Sequence, residues 1–229
     1  YLWNPAPVAP EPGELEQLAE IFGGRFEPGL PPYEGHTLFS RYIGMDDGVD
    51  IAVDVLLPKG LEQGKTVPAI IMPTRYWRRW EMYFPFSKLF HRDLFDRMFT
   101  AYGYALVYVD VRGTGASVGS RQYPWSSREL RDLYSILDWT EGQDWCDGSI
   151  GVCGTSYGGT SAEFMAAMGH PALKAAIIRY SLFDVYEDIA FPGGVQNEWF
   201  VSKWGEFNQA LDANAIPDSL PWFMSLLVR

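Results

Sequence analysis

The sequence predicts an α/β fold, a mostly parallel sheet with helices on both faces, and two observations carry that prediction. Short apolar runs of strand length alternate along the chain with stretches of helical periodicity, the pattern that builds a parallel sheet covered by helices. The second observation is the stretch Ser149-Ile150-Gly151-Val152-Cys153-Gly154-Thr155-Ser156-Tyr157-Gly158-Gly159, an apolar run ending in a serine set between glycines. With 229 residues, 47% of them hydrophobic, the chain can bury one substantial core without dividing into several independent domains.

Residues 1–35 are rich in Pro, Gly and Glu, with Pro5, Pro7, Pro10, Pro12, Pro28, Pro31 and Pro32, and read as an extended lead-in holding one short helix around Glu14 to Phe22. From Leu38 to Leu57 two strands flank a turn at Asp46-Asp47-Gly48, with Ile51, Val53 and Val55 alternating against Ala52, Asp54 and Leu56. Val67 to Met72, closed by Pro73, is a continuous apolar run, the form of an inner strand covered on both faces. Between Phe86 and Phe99, Leu89, Phe90, Leu94, Phe95 and Met98 share one helical face, largely opposite Arg92, Asp93, Asp96 and Arg97. Tyr104 to Val111 is the next buried strand. Ser126 and Glu129 predict a capping box, and Leu130, Leu133, Tyr134 and Leu137 then repeat at helical spacing until Gly142.

Lys174 to Tyr180 supplies one more strand, after which the alternation stops at Pro192-Gly193-Gly194. Phe200, Trp204 and Phe207 then follow at i, i+4 and i+7, a stripe that reads first as core packing and second as a substrate wall. The expected organisation is the lead-in at 1–35, the N-terminal part of the sheet domain at 36–195, and the beginning of a helical cap insertion at 196–229. On this reading the domain is truncated at Arg229.

Gly154-x-Ser156-x-Gly158 has the spacing of the nucleophile elbow of α/β-hydrolases, where a sharp turn from strand to helix lifts the serine hydroxyl above the sheet. Small residues flank the serine because strand and helix backbones approach too closely for side chains. A glycine-rich turn with an exposed serine is the plain alternative, and the context favours the elbow. Ile150, Val152 and Cys153 form a short strand opened by Asp147-Gly148, Ala162, Phe164, Met165, Ala166 and Met168 the following helix, and Gly169 and Pro171 its stop.

The formal charge of −11 argues against nucleic acid or an anionic membrane as partner, since either calls for clustered Lys and Arg. No run approaches eighteen apolar residues, so no membrane span is expected, and no basic segment followed by an apolar core opens the chain. Localisation leans cytoplasmic on this reading, although the sequence begins at Tyr1 rather than Met, which leaves an earlier segment open. Cys146 and Cys153 are the only cysteines, too few for a disulfide framework. The three histidines, His36, His91 and His170, have no metal-ligand spacing. No cofactor is implied.

Three further segments stand after or before predicted inner strands: Pro73-Thr74-Arg75-Tyr76, Asp110-Val111-Arg112-Gly113-Thr114-Gly115-Ala116-Ser117, and Trp145-Cys146-Asp147-Gly148. Together with Met45-Asp46-Asp47-Gly48-Val49 and the elbow, in this order, they resemble the family of cocaine esterase, α-amino-acid ester hydrolases, glutaryl-cephalosporin acylases and X-Pro dipeptidyl-peptidases. The resemblance runs from about Leu38 to Val195. Gly113-Thr114-Gly115 is no dinucleotide fingerprint, because its third glycine would fall at Val118 and Gly119 is one position late. Family members often carry an acid at the position of Val118. Asp110 and Arg112 are expected to fix this loop rather than to react.

Cleaving an ester or amide through an acyl-enzyme needs a nucleophile, a base and donors aimed at the oxyanion. The resemblance implies Ser156 as nucleophile, with the backbone N–H of Tyr157 and the hydroxyl of Tyr76 as the oxyanion hole. On its own Tyr76 reads as an aromatic packed at a strand end. A base is missing: the triad runs Ser, then Asp or Glu, then His, and the only later histidine, His170, ends the elbow helix. Asp184, Asp188, Asp212 and Asp218 are acids without a histidine to orient, and the resemblance places both missing members on strands beyond Arg229.

Relatives acting on α-amino-acyl substrates are expected to carry a carboxylate just after the oxyanion tyrosine. Trp77, Arg78 and Arg79 stand there instead, either as a positive neighbourhood that disfavours an ammonium or as two solvated arginines. The leading expectation is therefore a serine hydrolase for small-molecule esters or amides. The alternatives are an X-Pro dipeptidyl-peptidase type of peptidase and a catalytically silent hydrolase fold used as a binding module. Oligomeric state is not legible.

Overall fold

The apolar runs at residues 67–72, 105–109 and 150–153 take inner positions of the sheet, as hydrophobicity on both faces requires. The computed structural model describes residues 31–78 and 93–215. Along the chain these form β1 (His36–Gly44), β2 (Asp50–Pro58), β3 (Val67–Thr74), α1 (Asp93–Ala101), β4 (Ala105–Asp110), α2 (Ser127–Glu141), β5 (Cys146–Thr155), α3 (Tyr157–Ala167), β6 (Leu173–Arg179), a single wide helical turn at Tyr186–Ala190, and α4 (Glu198–Asp212). The strands make one sheet in the order β1-β2-β4-β3-β5-β6. β1, β2 and β4 pair antiparallel, and β4, β3, β5 and β6 run parallel. The expected α/β architecture and the observed one agree. The lead-in helix at Glu14 to Phe22, the Leu89, Phe90 and Arg92 end of the Phe86–Phe99 helix, and everything after residue 215 lie outside the described residues.

Central β3 sets Ile71 opposite Val107 on one side and Val152 on the other, all at most 1% exposed. Leu133, Ile136 and Leu137 of α2 and Ala162 and Met165 of α3 close over this face. Removing one such side chain, as in Ile71→Ala, costs about 2–5 kcal/mol. The opposite face carries Leu56, Ile70, Leu106, Tyr108 and Cys153, covered by Phe95 and Phe99 of α1. Helices therefore lie on both faces.

The structure reinterprets two sequence patterns. The alternation in β2 separates two helix-covered faces rather than core from solvent. Asp54, 2% exposed, is accommodated there by the Ser40 hydroxyl at 2.6 Å and Arg78 Nε at 2.9 Å. On α1, Asp96 belongs by spacing to the polar face, yet it is buried and accepts a hydrogen bond from the Tyr108 hydroxyl of β4. Both cysteines are buried free thiols, and burial pushes both up from the usual thiol range.

Candidate active site

Ser156 sits where β5 meets α3, with φ +58° and ψ −122°. A residue with a side chain held there carries roughly 1–3 kcal/mol of strain, so the surroundings must impose the turn. The Ser156 N–H donates to the Arg179 carbonyl on β6 at 2.9 Å, and its own carbonyl accepts from the Thr160 N–H at 2.9 Å, starting the helix. Strand and helix meet at backbone contact: a Cβ on Gly154 would lie 2.0 Å from the Gly158 carbonyl oxygen, and one on Gly158 would lie 2.6 Å from that of Pro73. The result is an exposed serine at the C-terminal end of the parallel strands, where α/β sheets place their sites.

The neighbouring amide, that of Tyr157, belongs to the first turn of α3, whose leading N–H groups have no acceptor within the helix. The Tyr157 side chain, 1% exposed, anchors this turn. Its hydroxyl donates to Glu129 Oε1 at 2.6 Å, and its ring stacks on Trp125 with centroids 4.3 Å apart. Burial pushes the Glu129 carboxyl up, and burial followed by the negative charge of Glu129 pushes the Tyr157 phenol up. The second Glu129 oxygen accepts from the Trp125 N–H at 3.3 Å. The Ser126 hydroxyl caps the Glu129 N–H at 3.3 Å as the sequence predicts, but the return bond goes one residue further back.

Tyr76 lies two residues beyond β3. Its hydroxyl oxygen accepts from Trp204 Nε1 at 3.0 Å, and its ring meets Tyr157 edge-on at 6.3 Å and Phe207 at 6.3 Å. Ser156, Tyr76 and Tyr157 line one cavity of about 500 Å³, walled by Tyr123, Trp125, Tyr180, Leu182, Phe200 and Trp204 among others. Its described lining includes no charged side chain. The α4 stripe bears out both readings: Phe200 and Trp204 face the cavity, stacked on each other at 5.3 Å, while Trp204 also packs against the core and Phe207 packs on Tyr76.

The remaining candidates have structural partners. Arg78 is neither a solvated arginine nor a source of positive field for a substrate. It pairs with Asp54 at 2.9 Å and Asp110 at 2.6 Å, both buried, so its charge is compensated where it stands; Arg79 lies outside the described residues. Asp110 also accepts from the N–H groups of Arg78 at 2.5 Å and Ala116 at 3.0 Å, pinning the glycine loop to the segment after β3. Arg112 joins Asp132 at 2.6 Å and Asp47 at 2.8 Å, tying the β1–β2 turn to α2. Asp184 and Asp188 cap backbone N–H groups of their own turn. Asp212 holds Arg75 at 3.0 Å and Arg121 at 3.3 Å. Asp218 and His91 lie outside the described residues.

His170 is buried at the far end of α3. Its Nδ1 accepts from the Ala172 N–H at 3.1 Å, which leaves Nε2 as the donor to Asp138 at 3.0 Å. Some fourteen residues separate it from Ser156, about 20 Å at helical rise. His36, on β1, is four strands away from β5, about 19 Å at the usual strand spacing. Among the described residues no histidine reaches Ser156.

Residues 47–221 match the profile of X-Pro dipeptidyl-peptidases, the S15 family. The chain belongs to that family. A provisionally named serine esterase of Mycobacterium bovis is 44% identical over 207 residues, 86% of this chain and 33% of the relative. Cocaine esterase of a Rhodococcus species is 31% identical over 167 residues, 71% of this chain and 27% of that enzyme. A CocE/NonD family hydrolase from Staphylococcus aureus superposes with a TM-score of 0.66 at 23% identity, covering 83% of this chain and 36% of that one, and shows the α/β-hydrolase fold. The chain spans about a third or less of the length of these curated relatives.

Sequence reasoning missed Arg75, Trp125 and Glu129 as parts of this site. Glu129 was legible only as a capping residue. Trp125 precedes the cap, the position from which an apolar side chain packs back over a helix, and this was the available signal.

Proposed function

We propose that the protein is a serine hydrolase that cleaves esters of neutral, apolar or aromatic acyl groups through an acyl-enzyme on Ser156. Ser156 Oγ attacks the carbonyl carbon, and the carbonyl oxygen takes up negative charge facing the Tyr157 N–H and the Tyr76 hydroxyl. Collapse expels the alcohol, and water then releases the acid. The base that takes the serine proton comes from outside the described residues, as does the acid that orients it. The observation that carries this reading is the strained serine opening onto an aromatic cavity that Tyr76 also lines.

The lining supports the acyl preference. A dipeptidyl-peptidase must hold the ammonium of a peptide N-terminus, a task for a carboxylate, and the described lining contains none. With Arg78 compensated by Asp54 and Asp110, the case for an anionic acyl group also lapses. Relatives named as serine esterase and cocaine esterase point the same way. In the full-length protein, a fluorophosphonate should label Ser156 alone, and Ser156→Ala should lose both labelling and p-nitrophenyl butyrate hydrolysis. Labelling at another residue overturns the assignment, and no labelling at all favours a silent fold used for binding.

A further inference from the structure

Tyr76 and Trp204, 128 residues apart in sequence, are joined by a hydrogen bond that can run in only one sense. Indole nitrogen donates and never accepts, so in the 3.0 Å contact the Tyr76 oxygen is the acceptor and the phenolic proton points elsewhere. A hydroxyl that accepts one hydrogen bond donates more strongly through its own proton. Trp204 is itself held in place: Phe200 stacks on it at 5.3 Å, and the Arg75 guanidinium lies 5.2 Å over its ring, gripped by Asp212 at 3.0 Å. On the other side of Tyr76, the Trp77 indole donates to the Leu211 carbonyl at 3.0 Å. Both chain neighbours of Tyr76 are thus tied to the C-terminal half of α4.

From this geometry we infer that Trp204 is a positioning residue for the oxyanion hole, its indole N–H fixing and polarising the Tyr76 hydroxyl toward the developing oxyanion. The inference rests on the proposed role of Tyr76. It makes α4 a part of the catalytic arrangement and not only a wall of the cavity.

A double-mutant cycle on the full-length protein tests it, with p-nitrophenyl butyrate as substrate. Tyr76→Phe alone should lower kcat by on the order of a hundredfold. Trp204→Phe, which keeps an aromatic wall without the donor, should lower kcat roughly 3- to 12-fold with KM changed by less than about threefold. In the Tyr76→Phe background the same substitution should change kcat by less than about twofold, because the group it acts through is gone. A loss from Trp204→Phe that persists undiminished in that background, or one confined to KM, overturns the inference and makes Trp204 a packing or substrate-contact residue. If Tyr76→Phe alone leaves kcat within a few-fold of wild type, the oxyanion reading itself is overturned. Should Trp204→Phe not fold, replacing Trp204 with β-(3-benzothienyl)alanine removes the N–H while preserving the bicyclic ring, and must give the same coupling.

Discussion

One methyl group at position 154 tests the elbow. In Gly154→Ala the new Cβ would stand 2.0 Å from the Gly158 carbonyl oxygen, where ordinary contact begins near 3.4 Å. The shortfall is about 1.4 Å, and both sides of the clash are backbone, so no rotamer change relieves it. The turn must open. Overpacking a core side chain costs about 1–3 kcal/mol, and opening a backbone crossing belongs at or above the upper end, on the order of 3 kcal/mol. Ser156 lies inside the displaced segment, and a 1 Å error in a reacting group costs about a hundredfold in rate. Gly205→Ala is the matched control: it adds the same methyl within α4 where nothing lies within 4 Å, and should stabilise by up to about 1 kcal/mol. Urea unfolding and the rate of fluorophosphonate labelling, both on the full-length protein, read the two variants. A Gly154→Ala protein with a wild-type unfolding midpoint and labelling within twofold of wild type would refute the close-crossing argument.

Other expectations follow from the same contacts. Glu129→Ala strands the buried Tyr157 hydroxyl and should destabilise by about 1–3 kcal/mol in urea unfolding, whereas Glu129→Gln keeps an acceptor and should lose less; equal losses would show that the hydroxyl bond is immaterial. The 229-residue chain alone should show no Ser156-dependent ester turnover above about 1 s⁻¹, since no histidine among its described residues reaches the serine; faster turnover would reveal a base in these residues. Hydrogen bonds from Arg112 and Arg128 hold the Asp47 carboxyl well below the usual carboxylate range, so its stabilising contribution is complete above about pH 4 and is lost as pH falls further. Asp47→Asn should therefore lower the thermal midpoint at pH 7, with the gap to wild type closing below about pH 4; a gap that stays constant with pH contradicts the ion-pair account.

The parts of the fold legible in the sequence were those governed by local rules. Val67 to Met72 and the run through Val152 announce inner strands because burial on both faces removes all alternation, and Ser126 marks a helix start because its hydroxyl satisfies a nearby amide. The elbow was readable in part for the same reason: Gly154 answers a contact with Gly158 only four residues on, although Gly158 itself answers the distant Pro73 carbonyl. Long-range pairings left no such trace. Arg75 meets Asp212 across 137 positions, and Trp204 meets Tyr76 across 128. Neither pair follows a periodicity, and the helical spacing of Phe200, Trp204 and Phe207 says which residues share a face but not what that face meets. Arg78 misled for a related reason, since its charge is balanced by Asp54 and Asp110, both distant in sequence.

The backbone at Ser156 also bears on what keeps a serine there. With φ +58° and ψ −122°, this position suits glycine, which occupies the region without penalty, and any residue with a Cβ holds the turn at a loss of roughly 1–3 kcal/mol. Folding and the proposed chemistry therefore want different residues at position 156. Ser156→Gly should be more stable than the wild type and inert, so a chain relieved of its reaction would gain by drifting toward glycine. On the proposed reading, the strain carried at position 156 is what the chain gives up to keep a hydroxyl at the tip of the turn.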